Sequence, residues 1–90
     1  MTVITYFKDG IRIDGHAKDP VVCHAVSAIS QMVSGFVQER DWGNVNVEEG
    51  PLEIREIKEA HCSSDLFQAM IIAFDDISSQ YPDSVRIERN

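Results

Sequence analysis

Val22, Ala25, Val26, Ile29, Met32, Val33, Phe36 and Val37 recur at steps of three and four residues, and no other pattern in the sequence restricts the fold as strongly. Only an α-helix gathers such a set on one face, so the spacing predicts a helix from about Pro20 to Gln38. A helix with one long apolar face needs a flat apolar surface to lie on, and the flanking segments supply it as strands. Residues 2–8, TVITYFK, alternate and are rich in β-branched and aromatic types. Asp9-Gly10 is a turn dipeptide and residues 11–14, IRID, alternate again, which predicts a β-hairpin.

After the helix, residues 41–49, DWGNVNVEE, place Val45 and Val47 on one side of a pleat, with Trp42 opening that strand. Gly50-Pro51 interrupts, and residues 52–59, LEIREIKE, form the next strand. Leu66, Phe67, Met70, Ile71, Phe74 and Ile77 predict a second amphipathic helix, introduced by the capping candidates Ser63 and Ser64 and closed before Pro82. Residues 84–89, SVRIER, alternate as a last strand. The order ββαββαβ in 90 residues implies one α+β domain, a largely antiparallel sheet with both helices packed on one face. Val3 and Phe7 fall on the face opposite Ile4 and Tyr6, so the face away from the helices also carries apolar residues. A second copy covering that face, hence a homodimer, is the expectation; long side chains from neighbouring strands are the alternative cover.

A net charge of −7 opposes the phosphate neutralisation that nucleic-acid affinity requires, and it favours encounter with a basic protein or peptide. No stretch approaches about 18 continuous apolar residues and MTVITYFKDG lacks a signal peptide's apolar run, so a cytoplasmic location is expected. Cys23 and Cys62 would then be free thiols. His16, Cys23, His24, His61 and Cys62 lack the spacings of a metal site, and no metal or other cofactor is expected.

The chemistry concentrates at residues 15–30, GHAKDPVVCHAVSAIS. Asp19 is a favoured N-cap and Pro20 a favoured first helical residue, which puts Cys23 in the first turn, near the positive end of the helix dipole. A thiol there ionises more readily and becomes a nucleophile. His16 is the candidate base if its ring reaches that turn, and Gly15 lets the backbone bend before it. The N–H groups of Val21 and Val22 precede the first helical hydrogen bonds and are free to hold an oxyanion. Asp19 either caps the helix or orients His16. Ser27 follows Cys23 by one turn on the same face, placed to hold a substrate carbonyl, and Ser30 and Ser34 extend that flank; small residues also simply let a helix approach its neighbour closely. For Cys23 the alternative is a small buried apolar residue. His24 is turned about 100° away and is expected to be exposed. His61 and Cys62 are expected in a solvated loop, and Trp42 in core packing or a dimer contact.

These residues resemble the ribosomal-processing cysteine proteases. That family's signature is Gly-His-Ala at the end of the second strand, then a loop, then Asp-Ile-Val-Cys-x-Ala-Val-Ser at a helix start. This chain has Gly15-His16-Ala17, then Val21-Val22-Cys23-His24-Ala25-Val26-Ser27. The resemblance implies a dimeric cysteine peptidase with Cys23 as nucleophile, His16 as base and Ser27 as the site serine, removing an N-terminal extension from a large-subunit ribosomal protein. The chain departs from the pattern in a shorter connection between His16 and Cys23, and in Pro20 where the family has its aspartate, with Asp19 one position earlier. A shortened loop points to a divergent relative that cuts another protein, such as a phage structural protein, or to one that has lost activity and is a catalytically silent, homodimeric interaction module of the same fold.

Overall fold

Five strands make one sheet in the order β3-β4-β2-β1-β5 in this computed structural model, which describes residues 1–47 and 51–90. β1 (Thr2–Phe7) is central, pairing antiparallel with β2 (Gly10–Gly15) and parallel with β5 (Val85–Arg89). β4 (Leu52–Arg55) joins β2, and β3 (Asn44–Val47) lies outside β4, both antiparallel. α1 (Pro20–Arg40) follows β2, and α2 (Asp65–Gln80) follows β4 after a single 3₁₀ turn, Glu59–His61. The expected α+β order and the largely antiparallel sheet are therefore both present.

The register explains why the helices share one face. Residues directly opposite each other project to the same side of a sheet. Tyr6 stands opposite Ile11, Ile4 opposite Ile13, Ile11 opposite Ile54, and Val45 opposite Ile54. These meet Val22, Val26, Val33 and Val37 of α1 and Phe67, Met70 and Phe74 of α2 in one core. Tyr6 also donates from its hydroxyl to Asp75 Oδ1 at 3.3 Å, fastening β1 to α2. Burial, with the Asp75 carboxylate as second cause, raises the phenol's pKa well above its ordinary value.

The other face is ionic around a half-buried Phe7. Arg55 holds its guanidinium carbon 3.8 Å from the centre of the Phe7 ring, and Arg12 lies 3.3 Å from Asp14 and 3.6 Å from Glu53. Side chains of the same chain thus supply part of the cover expected from a second copy.

Several boundaries differ from the sequence reading: the first turn is Lys8-Asp9, with Gly10 already in β2 opposite Phe7, and the ends of α1 and β4 shift for physical reasons. α1 runs past Gln38 to Arg40 and stops at Asp41, which is left-handed (φ 54°) and gives its N–H to Gln38 and Val37 carbonyls. Trp42 N–H then bonds the Val37 carbonyl at 3.0 Å, so Trp42 belongs to the helix exit rather than to β3. The predicted extension of this strand to residue 49 lies outside the described residues.

β4 ends at Arg55, not at residue 59, because Asp9 captures the chain there. Its Oδ2 accepts from Glu56 N–H at 3.0 Å, its carbonyl accepts from Ile57 N–H at 3.0 Å, and its Oδ1 accepts from Arg55 Nε at 3.1 Å. Glu56 is bent to φ 57°, and Ile57 turns into the core. The Glu56 N–H is the main reason that the Asp9 pKa lies below its ordinary value. A depressed folded-state pKa gives stability that is present above the unfolded value, about 3.9, and lost as pH falls through the folded one. Thermal unfolding midpoints should consequently fall less steeply on acidification below about pH 4 in Asp9→Asn than in the native chain; parallel curves would mean that Asp9 carries no linkage.

Ser64 takes the N-cap position of α2, as expected, but makes no side-chain cap: its Oγ is buried and makes no hydrogen bond to a described residue. Gln68 Nε2 bonds the Ser63 carbonyl at 2.9 Å and ties down that turn.

Candidate active site

Gly15 ends β2 opposite Thr2 with φ +80°, and a Cβ on it would run into the Met1 carbonyl oxygen. No other residue type fits that left-handed, crowded position without strain. Gly15→Ala should cost about 1–3 kcal/mol and shift where His16 emerges. An unchanged thermal midpoint in that variant would show that the end of β2 adapts freely.

His16 is exposed at the end of the strand, and residues 16–19 connect it to α1. Asp19 takes an extended conformation (φ −82°, ψ 118°), and its Oδ1 accepts from Val21 N–H at 2.9 Å. Its carbonyl accepts the first helical bond, from Cys23 N–H at 3.1 Å. Of the two roles open to Asp19 from the sequence, its carboxylate performs capping. That spends Val21's donor and leaves the N–H of Val22 without a hydrogen bond to any described residue, while the Val22 side chain is sealed in the core.

Cys23 is half-buried, neither sealed in the interior nor bare on the surface. No acidic residue lies in the first helical turn around Cys23. Ser27, also half-buried, lies one turn on. Ser30 and Ser34 are buried and donate their hydroxyls back to the Ser27 and Gln31 carbonyls, at 3.0 and 3.2 Å, which makes them packing residues.

One strand-to-helix corner therefore holds Gly15, His16, Asp19, Val22 and Cys23, with Ser27 beside it. Among the described residues no hydrogen bond joins His16 to Cys23 Sγ; catalytic pairs are often loose until a substrate closes them. The corner offers a thiol at a helix N-terminus, an exposed imidazole, a spare backbone donor and a hydroxyl, which are the parts of an acyl-transfer site.

The remaining histidines and the second cysteine lie elsewhere. His24 is exposed, as expected. His61 is not in a solvated loop: its ring stacks on Trp42 at 4.0 Å and 3°, because the 3₁₀ turn folds back and Lys58 N–H bonds the Trp42 carbonyl at 2.8 Å. Trp42 also meets Phe36 edge-on, so packing accounts for it. Cys62 donates from Sγ to the Ile57 carbonyl at 3.3 Å. Among the described residues, no three His, Cys, Asp or Glu side chains gather as a metal-holding group.

The sequence reading did not foresee the polar depression of about 490 Å³ lined by Asp9, Asn44, Asn46, Glu53, Arg55 and Glu56. Its organiser is Asp9, legible locally only as part of a turn dipeptide. Neither His16 nor Cys23 lines it, nor do they line the two concavities beside Cys62.

Comparison with known proteins follows the same lines. The sequence model of a family described as Cysteine protease Prp matches residues 1–86. Curated proteins give no match to the chain. Among solved structures, the essential ribosomal processing protease Prp from S. aureus with a covalently linked product peptide is 21% identical, with TM-score 0.75, over 99% of this chain and 97% of that one. The same S. aureus protease with a substrate peptide superposes at TM-score 0.77 and 17% identity, over 99% and 97% of the two chains. SMU.848 from Streptococcus mutans gives 0.69 and 18%, over 98% and 90%. At these identities the structures bear on the fold.

Proposed function

This chain belongs to the cysteine protease Prp family, and from that premise we propose that it is a thiol endopeptidase with Cys23 as nucleophile and His16 as base. The observation that carries the reading is the half-buried thiol of Cys23 in the first turn of the Asp19-capped helix, one short connection after His16. In the proposed reaction, His16 accepts the thiol proton as sulfur bonds to the peptide carbonyl carbon. The Val22 N–H holds the oxyanion, and Ser27 holds a neighbouring substrate carbonyl. Collapse breaks the C–N bond while His16 returns the proton to the leaving amine. Water then hydrolyses the thioester and frees the thiol.

The proposed substrate is a basic segment, drawn to a chain of net charge −7. By the family resemblance it is the N-terminal extension of a large-subunit ribosomal protein, or the corresponding region of a phage structural protein; the S. aureus relative is a ribosomal processing protease that takes a peptide. A cytoplasmic homodimer that needs no cofactor and binds no nucleic acid completes the proposal. Incubation with a ribosomal protein carrying its extension, read by mass spectrometry, tests it: release of the extension is expected, and an intact substrate counts against it.

A second reading, a catalytically silent homodimeric interaction module of the same fold, is favoured by one observation, the lack of a His16–Cys23 hydrogen bond among the described residues. Thiol alkylation against pH separates the two. A nucleophilic Cys23 labels rapidly well below the pH at which an ordinary thiol, pKa about 8.5, reacts. In the silent module Cys23 and Cys62 label at similar slow rates.

A further inference from the structure

β3 closes one side of the sheet, and among the described residues its outer edge pairs with no strand. Such an edge presents unpaired backbone N–H and C=O groups, and proteins that leave one idle blunt it with charges or proline. β5, the edge on the other side, carries Arg86, Glu88 and Arg89. β3 reads Asn-Val-Asn-Val, with neither a charge nor a proline. Asparagine is also a poor strand former, so its presence at both Asn44 and Asn46 needs a reason other than the sheet itself. The register supplies one. Asn44 and Asn46 stand opposite Arg55 and Glu53 on the outer sheet face, and with Asp9 and Glu56 these residues line the depression of about 490 Å³. That hollow carries three carboxylates and one guanidinium, and the guanidinium, of Arg55, is already held by Asp9 at 3.1 Å. Val45 and Val47 project the other way, towards the helices, and Val47 is 71% exposed.

We infer that the free edge of β3 binds an extended segment of the substrate as an added strand, with basic side chains over the outer-face hollow and apolar ones beside Val45 and Val47. The inference rests on the peptidase reading above and names how that enzyme holds its substrate away from the thiol. Successive side chains of a strand point to opposite faces, so an added strand meets the hollow with every second residue and the valine side with the residues between. The segment it selects alternates Lys or Arg with apolar residues, which is narrower than the general attraction of a chain of net charge −7 for cations. The site also lies on the way to Cys23. Val47 stands opposite Leu52 and Leu52 opposite Ile13, which precedes Gly15 and His16 near the end of β2. The Val47 end of β3 and the catalytic corner therefore share one end of the sheet. From an added strand back to β2 is a span of about 14 Å, which roughly four extended residues cross. The held segment consequently lies about four or more residues from the bond that is cut.

Fluorescence anisotropy of a labelled short peptide in which lysine and valine alternate, titrated with the full chain carrying Cys23→Ala, tests the site without cleavage. A strand residue turns its N–H and C=O to the same side, so N-methylation of all the lysines or of all the valines removes either the bonds to β3 or none of them. One of the two methylated peptides should bind at least about tenfold more weakly than the parent, and the other nearly as well. Glu56→Lys, on the rim of the hollow, should weaken binding of the parent at least about tenfold with an unchanged circular dichroism spectrum. Asp76→Lys, the same charge change on an exposed position of α2, should leave it as it was. Binding that ignores which residues are methylated, or that responds alike to the two charge changes, is general attraction and overturns the site, as does no binding at all. A chain that shows the alternation, but whose native form never cuts a ribosomal protein carrying its extension, overturns the peptidase reading and keeps the strand site. Cleavage by the native chain without the alternation overturns the site alone.

Discussion

Cys23→Ala should abolish cleavage, lowering the single-turnover rate by roughly 10⁴-fold or more, while the fold is unchanged. The size follows from the proposed covalent mechanism: without sulfur no thioester forms, and the oxyanion donor and His16 would have nothing to assist. Folding is spared because Cys23 is half-buried and its backbone N–H, which makes the first bond of α1, survives the change. Cys62→Ala is the control, since that thiol is engaged with the Ile57 carbonyl at the other end of the fold's second connection. His16→Ala should cost about 10²–10⁴-fold, and the loss should shrink at high pH, where the thiolate forms unaided. Mass spectrometry of a peptide substrate checks all three variants. Retained cleavage by Cys23→Ala removes the peptidase assignment at once.

Phe74→Ala should be the most damaging core substitution. Phe74 is fully buried on α2, in the core shared with β1 and α1. Truncating such a ring costs about 3–5 kcal/mol through lost transfer energy and the cavity left behind. A domain of this size has only about 5–15 kcal/mol in all, and each kcal/mol moves the midpoint by about 4–8 °C. Thermal denaturation should thus show a fall of at least about 12 °C. Ile72→Ala, two residues away but 69% exposed, should stay within about 0.5 kcal/mol of the native chain. Equal midpoints for the two variants would contradict the core assignment.

What the sequence made legible was local. The valine spacing of α1, the β1–β2 hairpin and the Asp19-Pro20 helix start each operate within a few residues, and each is present as expected, although the hairpin turn falls on Lys8-Asp9 and not on Asp9-Gly10. What it hid was long-range. β4 stops at Arg55 because an aspartate 46 residues earlier captures the chain, and no periodicity in residues 52–59 carries that information. His61 stacks on Trp42 across 19 positions, so its loop location said nothing of its burial. At the candidate site the backbone logic was readable, including the cap and the thiol's place in the first turn. The orientation of the His16 side chain relative to Cys23 was not, because it depends on side-chain torsions.

The parallel pairing of β1 with β5 has a kinetic consequence. The central strand lacks one neighbour until residues 85–89 have been synthesised, and Thr2 bonds the Ser84 carbonyl as well as standing opposite Gly15. A chain in which β5 has not yet docked leaves β1 as an open edge, although the β1–β2 pairing that carries Gly15 does not depend on it. Such distant pairing slows folding. The β1–β2 hairpin should accordingly form before the sheet is completed by β5.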